Sequence, residues 1–257
     1  MSFSFVFIGA GNLATHLAPA LAGAGFGIRQ VYSRTVASAE SLAMRTGSSW
    51  TCSVPEIDTD ADIYVVALKD SAVTEVLSQL NLCDKMIILC SGSLPISLLN
   101  DFSPRHGVLY PLQTFSRDRP VDFNRIPIFV EGSSRETEDQ ILSIAGTLSG
   151  KVFLADSVGR RKLHIAAVFS CNFVNYLYNV AADLLKNSGL EFEHLVPLIM
   201  ETADKIRVMD PFDAQTGPAV RYDHNIINAH LEVLDNLPEI RNLYAVISEH
   251  IYKLHQK

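Results

Sequence analysis

Residues 5–14 have the sequence FVFIGAGNLA, and this stretch decides the fold of the first part of the chain. The apolar residues of a candidate strand run into the spacing G-x-G-x-x-A where a helix must begin. In that spacing Gly9 allows a tight turn, Gly11 lets a pyrophosphate approach the backbone, and Ala14 keeps the helix close to the strand. The first N–H groups of the helix would face the anion. The stretch therefore predicts a dinucleotide-binding turn made by Gly9, Ala10, Gly11, Asn12 and Leu13. An S-adenosylmethionine site or an ordinary glycine turn are the alternatives.

The end of the second candidate strand indicates which dinucleotide is bound. Enzymes that use NAD usually carry Asp or Glu there to hold the ribose hydroxyls. This chain instead has Ser33, Arg34 and Thr35, which can donate hydrogen bonds to a 2′-phosphate and present no carboxylate to repel it. The segment therefore predicts NADP(H) as the cofactor, bound by these residues. The alternative is that Arg34 is only a solvated loop charge.

Short β-branched or aromatic runs alternate with helical runs as far as Ala155, a pattern typical of βαβ units and a parallel sheet. Strands are predicted over residues 3–8, 28–33, 49–52, 63–68, 86–90, 107–109, 126–131 and 151–155. Helices are predicted over residues 12–24, 37–46, 71–80 and 136–149. The pattern predicts a Rossmann-type α/β domain with a parallel sheet over residues 1–156.

Beyond this point helical periodicity takes over, first over residues 160–187 and then over residues 193–208. A loop rich in Pro and Gly leads to further helices near residues 225–234 and 239–254. The pattern predicts an all-α C-terminal domain over residues 157–257. Because its long helices are apolar, we expect a second copy of the chain to cover part of their surface, which gives a homodimer.

Composition excludes several classes of function. A net charge of −7 offers no basic stripe for nucleic acid. The four cysteines have neither C-x-x-C spacing nor the density of a disulfide scaffold, which favours a reducing, cytoplasmic setting. No uninterrupted apolar stretch reaches the ~18 residues of a membrane span, so no membrane partner is predicted. His224 and His230 do not share a helical face, and no metal site is predicted.

Three segments resemble the motifs of one family: residues 110–115 (YPLQTF), 164–173 (HIAAVFSCNF) and 216–221 (TGPAVR). That family joins a Rossmann-like domain to a helical domain of unknown function numbered 2520. It is similar to 6-phosphogluconate dehydrogenase, ketopantoate reductase and pyrroline-5-carboxylate reductase. The resemblance implies NADP-linked oxidoreductase chemistry and supplies no substrate. The chain has Tyr110 where the family commonly has histidine, so the resemblance implies no proton transfer at that position.

The strands that end near residues 68 and 90 also resemble strands of that superfamily whose loops border the nicotinamide. The resemblance implies cofactor contacts for Ala67, Leu68, Lys69, Ser91 and Gly92. An ordinary surface position is the alternative for Lys69. Gln113 and Thr114, in the YPLQTF segment, are expected to project toward the substrate cleft, with turn capping as the alternative.

Projection of residues 160–187 at 100° per residue gathers His164, Asn172, Asn175 and Asn179 on one polar stripe. A solvated face more often carries Lys, Glu and Arg, so the stripe predicts a semi-buried surface that orders hydrogen bonds. We assign His164 to proton transfer and Asn172 to holding the substrate, with Asn175 in the substrate cleft. The alternative is a structural stripe of amides that joins helices.

These features predict an NADP(H)-dependent oxidoreductase that transfers hydride to or from a small C=O or C=N substrate in a cleft between the domains. The alternative is a sensor that binds NADP(H) and signals through the helical domain without turnover. Both functions would use the same cofactor turn, so the sequence leaves both open.

Overall fold

The computed structural model describes residues 3–186 and 188–256, and the chain divides into two compact units. The first unit ends at Cys171 and the second begins at Asn172. The sequence places the boundary after residue 156, earlier in the chain, because helical periodicity begins there. Helix Ser157–Ala167 nevertheless belongs to the first unit, in which its Arg160 side chain is fully buried.

The first unit contains a single sheet, and each predicted strand is present in it. Over the described residues the strands are β1 Ser4–Ile8, β2 Gly27–Tyr32, β3 Ser49–Thr51, β4 Ile63–Val66, β5 Met86–Leu89, β6 His106–Pro111, β7 Ile128–Gly132 and β8 Val152–Leu154. Their spatial order is β3-β2-β1-β4-β5-β6-β7-β8. β4 and β5 are buried along their whole length, as expected for apolar strands covered on both faces.

Neighbouring strands are parallel except for β6 and β7, which are antiparallel. The predicted Rossmann-type parallel sheet is confirmed, with this one antiparallel junction that the sequence did not indicate. A parallel pair needs a crossover connection, usually a helix, whereas residues 112–127 contain no α-helix. Strands β1 to β6 all run in one direction, so their carboxyl ends lie at the same edge of the sheet.

Helices cover both faces of this sheet. Over the described residues of the first unit they are α1 Asn12–Gly23, α2 Val36–Thr46, α3 Val73–Leu77, α4 Arg135–Leu148 and α5 Ser157–Ala167. The predicted helix over residues 71–80 is shorter, because Asp70–Ala72 forms a 3₁₀ turn before it. Successive side chains of β1 point to opposite faces of the sheet and pack in two hydrophobic cores. Phe5 and Phe7 belong to the core that contains residues of α1 and α4, and Val6 belongs to the core that contains residues of α3.

The second unit is helical, as predicted for the C-terminal domain. Its helices over the described residues are α6 Val174–Leu185, α7 Val196–Lys205, α8 Pro218–Arg221, α9 His224–Val233 and α10 Pro238–His255. The short helix α8 lies in the loop rich in Pro and Gly and was not predicted. Pro218 begins it at the helix position that tolerates a missing N–H group.

Residues Val168–Phe173 between α5 and α6 are π-helical. The helical run predicted over residues 160–187 is present but is not α-helical throughout, and its predicted end at Asn187 lies outside the described residues. A π segment has more residues per turn than an α-helix, so the projection at 100° per residue does not hold across it. The predicted common stripe of His164, Asn172 and Asn175 loses its geometric basis.

The helical run Ser157–Leu185 is long and apolar enough to cross a membrane by length and composition alone. Its most apolar stretch is not buried. The sequence predicted no membrane span because only uninterrupted apolar stretches were counted. One such helix is weak evidence for a span, because a core helix of a soluble protein passes the same test.

Candidate functional site

The turn after β1 has the geometry expected of a dinucleotide-binding turn. Gly9 has a φ of +118°, and its N–H donates to the carbonyl of Tyr32 over 2.8 Å. A Cβ at Gly9 would lie 2.3 Å from the carbonyl oxygen of Ala67, so only glycine fits. A Cβ at Gly11 would meet nothing within 4 Å, just before α1 begins at Asn12. This open backbone at a helix N-terminus fits the approach of a pyrophosphate.

Loops from the neighbouring strands lie beside this turn. The N–H of Ala67 donates to the carbonyl of Ile8 over 2.9 Å, and the N–H of Cys90 donates to the carbonyl of Val66 over 2.9 Å. The structure thus brings the predicted cofactor residues to one edge of the sheet: Gly9, Ala10, Gly11, Asn12, Leu13, Ser33, Arg34, Thr35, Ala67, Leu68, Lys69, Ser91 and Gly92. Their individual contacts with a cofactor stay predictions.

The loop between β2 and α2 fits a 2′-phosphate. Arg34 is exposed, and Thr35 immediately precedes the first residue of α2. Residues 33–39 contain no Asp or Glu. A guanidinium at the start of a helix, without a carboxylate nearby in sequence, suits an anion.

Ser91 shapes the loop after β5. Its hydroxyl donates to the carboxylate of Asp70 over 3.0 Å and accepts from the N–H groups of Ser93 and Leu94, each over 3.1 Å. One donor and two acceptor positions are all that a hydroxyl offers. The Ser91 side chain is therefore fully used within the loop, and its predicted cofactor contact can come only from its backbone.

Gly92 lies beneath two polar rings. The hydroxyl of Tyr110, near the carboxyl end of β6, lies 3.0 Å from Nδ1 of His164 on α5. A Cβ at Gly92 would lie 2.7 Å from that nitrogen and 2.8 Å from Cζ of Tyr110. Glycine is thus required for the two rings to meet over the loop. His164, which the sequence assigns to proton transfer, is half-buried at the edge that carries the dinucleotide turn.

Tyr110 is a hydrogen-bonding partner of His164. Burial raises the pKa of Tyr110, and the positive charge of Arg160 lowers it by a smaller amount. The phenol therefore keeps its proton and can donate it to Nδ1 of His164 in the imidazole tautomer whose Nδ1 is unprotonated. A neutral imidazole that accepts at Nδ1 carries its proton on Nε2. The pair can hold and deliver a proton at that atom.

Arg160, which the sequence did not single out, fixes α5 against the β5 loop. It is 1% exposed and forms an ion pair with Glu131 on β7. Its other N–H groups donate to the carbonyl of Ser91 over 3.0 Å and to that of Leu94 over 2.7 Å. Because His164 lies one turn further along α5, this anchor also positions His164 over Gly92.

The loop after β6 places Gln113 and Thr114 on the surface. Oε1 of Gln113 accepts from the N–H of Thr114 over 2.8 Å, which is the turn contact that was the alternative to a substrate role. Both residues also line a polar cavity of about 550 Å³ in this loop. Their predicted role in substrate binding stays a prediction.

The remaining predicted substrate residues belong to the second unit. Asn172 is the first residue of that unit and Asn175 lies in α6, and both are exposed. The same unit contains an apolar groove of about 300 Å³, lined by residues from α6, α8 and α10. The assignment of Asn172 and Asn175 to substrate binding stays a prediction. No group of three His, Cys, Asp or Glu side chains within residues 3–186 and 188–256 could hold a metal ion.

The dinucleotide turn, the basic loop after β2 and the sheet order together define a Rossmann-type protein whose cofactor is NADP(H). Residues 4–92 match a family described as NADP oxidoreductase, coenzyme F420-dependent, and residues 126–251 match the domain of unknown function 2520. A solved "putative NADP oxidoreductase" from Bacteroides fragilis is 46% identical, over 98% of this chain and 98% of that chain, with a TM-score of 0.93. The chain belongs to this family of NADP oxidoreductases that carry domain 2520.

More distant solved structures share the fold. An imine reductase from Myxococcus stipitatus, in complex with NADP⁺, is 17% identical over 98% of this chain and 93% of that chain, with a TM-score of 0.67. A reductive aminase from Aspergillus terreus, in complex with NADPH and ethyl levulinate, is 14% identical over 98% of this chain and 95% of that chain, with a TM-score of 0.70. No curated protein matches the chain.

Proposed function

We propose that this NADP oxidoreductase transfers hydride to or from a small C=O or C=N substrate, with His164 as the proton-transfer residue and Tyr110 as its hydrogen-bonding partner. One observation carries the proposal. The Tyr110–His164 pair lies over Gly92, at the sheet edge that also holds the dinucleotide turn. Ligands of open α/β sheets bind outside the carboxyl ends of the strands.

The chemistry needs one proton for each hydride. When bound, NADPH supplies a hydride to the carbon of the C=O or C=N group and leaves as NADP⁺. The π electron pair of that group moves to oxygen or nitrogen, which then takes a proton. Nε2 of His164 donates this proton while Nδ1 takes the hydroxyl proton of Tyr110, so the imidazole stays neutral and the phenol is left as a phenolate that water protonates again. In the reverse direction the proton moves from the substrate to Nε2 as Nδ1 returns its proton to the phenolate.

The solved relatives favour C=N among the two substrate types. The relatives with the same fold include an imine reductase and a reductive aminase, and the second was solved with a keto ester. By their names, both enzymes act on bonds between carbon and nitrogen. We therefore propose small imines, or a ketone together with an amine, as the first substrates to test.

We further propose that Asn172 and Asn175 contact the substrate and that the protein is a cytoplasmic homodimer. Large apolar side chains of the second unit are exposed, among them Leu198, Val208 and Val233. A second copy of the chain that packs on this unit would remove such side chains from water.

The test is consumption of NADPH, followed by its absorbance, with small ketones, the same ketones plus ammonium or methylamine, and a cyclic five-membered imine. We expect turnover in at least one imine-forming mixture. His164→Gln should bind NADPH as the wild type does and lose that turnover. Lys162→Gln, an exposed change on the same helix, is the matched control. NADPH binding without turnover on any of these substrates would instead favour the sensor.

A further inference from the structure

Arg117 reaches from the loop after β6 to two segments of the predicted cofactor site. Its Nη2 donates to the carbonyl of Ala10, inside the dinucleotide turn, over 3.1 Å. The same nitrogen donates to the hydroxyl of Ser38, in the first turn of α2, over 3.1 Å. The guanidinium therefore lies between the turn that suits a pyrophosphate and the helix that follows Ser33, Arg34 and Thr35.

Helix α1 is hydrogen-bonded to the backbone segment that directly precedes Arg117 in the loop after β6. Nδ2 of Asn12 donates to the carbonyl of Phe115 over 2.9 Å. Nε2 of His16 lies 2.8 Å from the carbonyl oxygen of Ser116, and the His16 ring stacks on Phe115 with ring centroids 5.7 Å apart. A carbonyl only accepts, so His16 donates this bond. The residues that precede Arg117 are thus fixed to the start of α1.

The charge of Arg117 is not matched by its partners. Both of its hydrogen-bond partners are neutral oxygens, and within the described residues no carboxylate lies within ion-pair distance of its guanidinium. Arg117 and Arg34 are both exposed, in a chain whose net charge is −7. A guanidinium binds a phosphate more strongly than a neutral oxygen, because both partners are charged.

We propose that Arg117 is a further ligand of the 2′-phosphate of NADP(H) and that it acts together with Arg34. The proposal rests on NADP(H) as the cofactor. The contact with Ser38 decides for the 2′-phosphate over the pyrophosphate, because Ser38 belongs to the helix that begins directly after the Ser33–Thr35 segment. On binding, the guanidinium would exchange neutral acceptors for the phosphate. Cofactor choice would then depend on two loops that are far apart in sequence.

The experiment is a titration of the full-length protein with NADPH and with NADH, followed by nicotinamide fluorescence. We expect Arg117→Ala to raise the Kd for NADPH about 10- to 100-fold, the range of a lost charge-assisted hydrogen bond, and to change the Kd for NADH less than about threefold. Arg117→Lys should recover part of the affinity. Arg135→Ala is the matched control, because it removes the same charge from an exposed position in the first turn of α4.

A double replacement separates direct from long-range effects. If Arg34 and Arg117 hold one phosphate, their losses in NADPH affinity should be non-additive, whereas each should be additive with Arg135→Ala. Equal losses for NADPH and NADH would overturn the 2′-phosphate assignment, and so would an unchanged Kd for NADPH. If the wild type does not bind NADPH, the cofactor assignment itself is overturned. If the wild type binds NADPH and Arg117→Ala binds it equally well, only the role of Arg117 is overturned.

Discussion

The hydroxyl of Tyr110 lies 3.0 Å from Nδ1 of His164, and the two rings meet edge to face with centroids 6.1 Å apart. The contact joins a strand of the sheet to the helix α5. Arg160 fixes that helix from one turn away through its ion pair with Glu131. The imidazole is therefore held by one hydrogen bond and by the anchored helix, which leaves Nε2 for the proton.

Replacement of these two residues should separate their roles. His164→Gln should reduce turnover about 10²- to 10⁴-fold, the range of a lost general acid or base, with an unchanged Kd for NADPH. Tyr110→Phe removes only the hydroxyl, so we expect a smaller loss of turnover. Because the pKa of Tyr110 is raised, the phenol remains a donor up to a pH above the ordinary value of about 10. The rate of the wild type should therefore fall only above that pH, and Tyr110→Phe should lack this alkaline fall. The pH profile of kcat/KM is the measurement.

The tautomer of His164 provides a control that needs no substrate. In the ¹⁵N spectrum of the neutral imidazole, the wild type should show an unprotonated Nδ1 and a protonated Nε2. Tyr110→Phe should show a mixture of tautomers. A protonated Nδ1 in the wild type would contradict the assignment of Tyr110 as the donor.

Two glycine replacements should affect different properties, one the stability of the fold and the other the binding of NADPH. Gly92→Ala would place a methyl group 2.7 Å from Nδ1 of His164, so we expect about 1–3 kcal/mol less free energy of unfolding. A methyl group at Gly11 would enter open space, so Gly11→Ala should change the free energy of unfolding by less than about 1 kcal/mol. It should weaken NADPH binding, because the methyl group takes the space of the pyrophosphate. Urea denaturation and NADPH titration measure the two effects. Equal stability of Gly92→Ala and the wild type would show that the two rings are free to move apart.

Loss of one partner of the ion pair between Arg160 and Glu131 should lower the free energy of unfolding strongly. Arg160→Met leaves Glu131, which is 15% exposed, without its cation, so we expect a loss of about 3–5 kcal/mol in urea denaturation. The double variant Arg160→Met with Glu131→Gln should lose less, because no buried charge remains unpaired. Arg161→Met, an exposed neighbour, should change the free energy of unfolding by no more than about 0.5 kcal/mol. A double variant as unstable as Arg160→Met alone would contradict this account.

Local periodicity was sufficient to predict the strands and the dinucleotide turn. A buried strand and the sequence of a tight turn are set by residues that are adjacent in the chain. The antiparallel pairing of β6 with β7 was missed because it follows from the absence of a crossover helix, which no short window contains. The π segment at Val168–Phe173 was missed because it contains no Gly or Pro that would mark a break in the helix.

The site was predicted where it depends on one loop and missed where it depends on distant pairs. Arg160 looks like any helical arginine in the sequence, and its burial depends on Glu131, 29 residues away. Arg117 contacts Ala10, 107 residues away. Tyr110 was set aside because it replaces a histidine of the family, whereas the structure pairs it with His164. Such pairs are visible only once the sheet has brought the loops together.

The last prediction concerns the surface of the second unit. Leu198 is 64% exposed and Val233 is 77% exposed, and both are large apolar side chains that water solvates poorly. If a second copy covers this surface, light scattering should give the mass of a dimer at micromolar concentration. Leu198→Glu with Val233→Glu should give a monomer, because two carboxylates would have to be buried without partners.

Met44→Glu is the control for this variant. Met44 is 73% exposed on α2 of the first unit, so the change adds a carboxylate at a similarly exposed apolar site that belongs to the other unit. It should leave the dimer intact. Circular dichroism of all three proteins should be the same, so that a monomer mass cannot arise from unfolding. A monomer mass for the wild type would contradict the dimer. Binding to lipid vesicles would then be the next measurement, because the run Ser157–Leu185 is long enough to enter a bilayer.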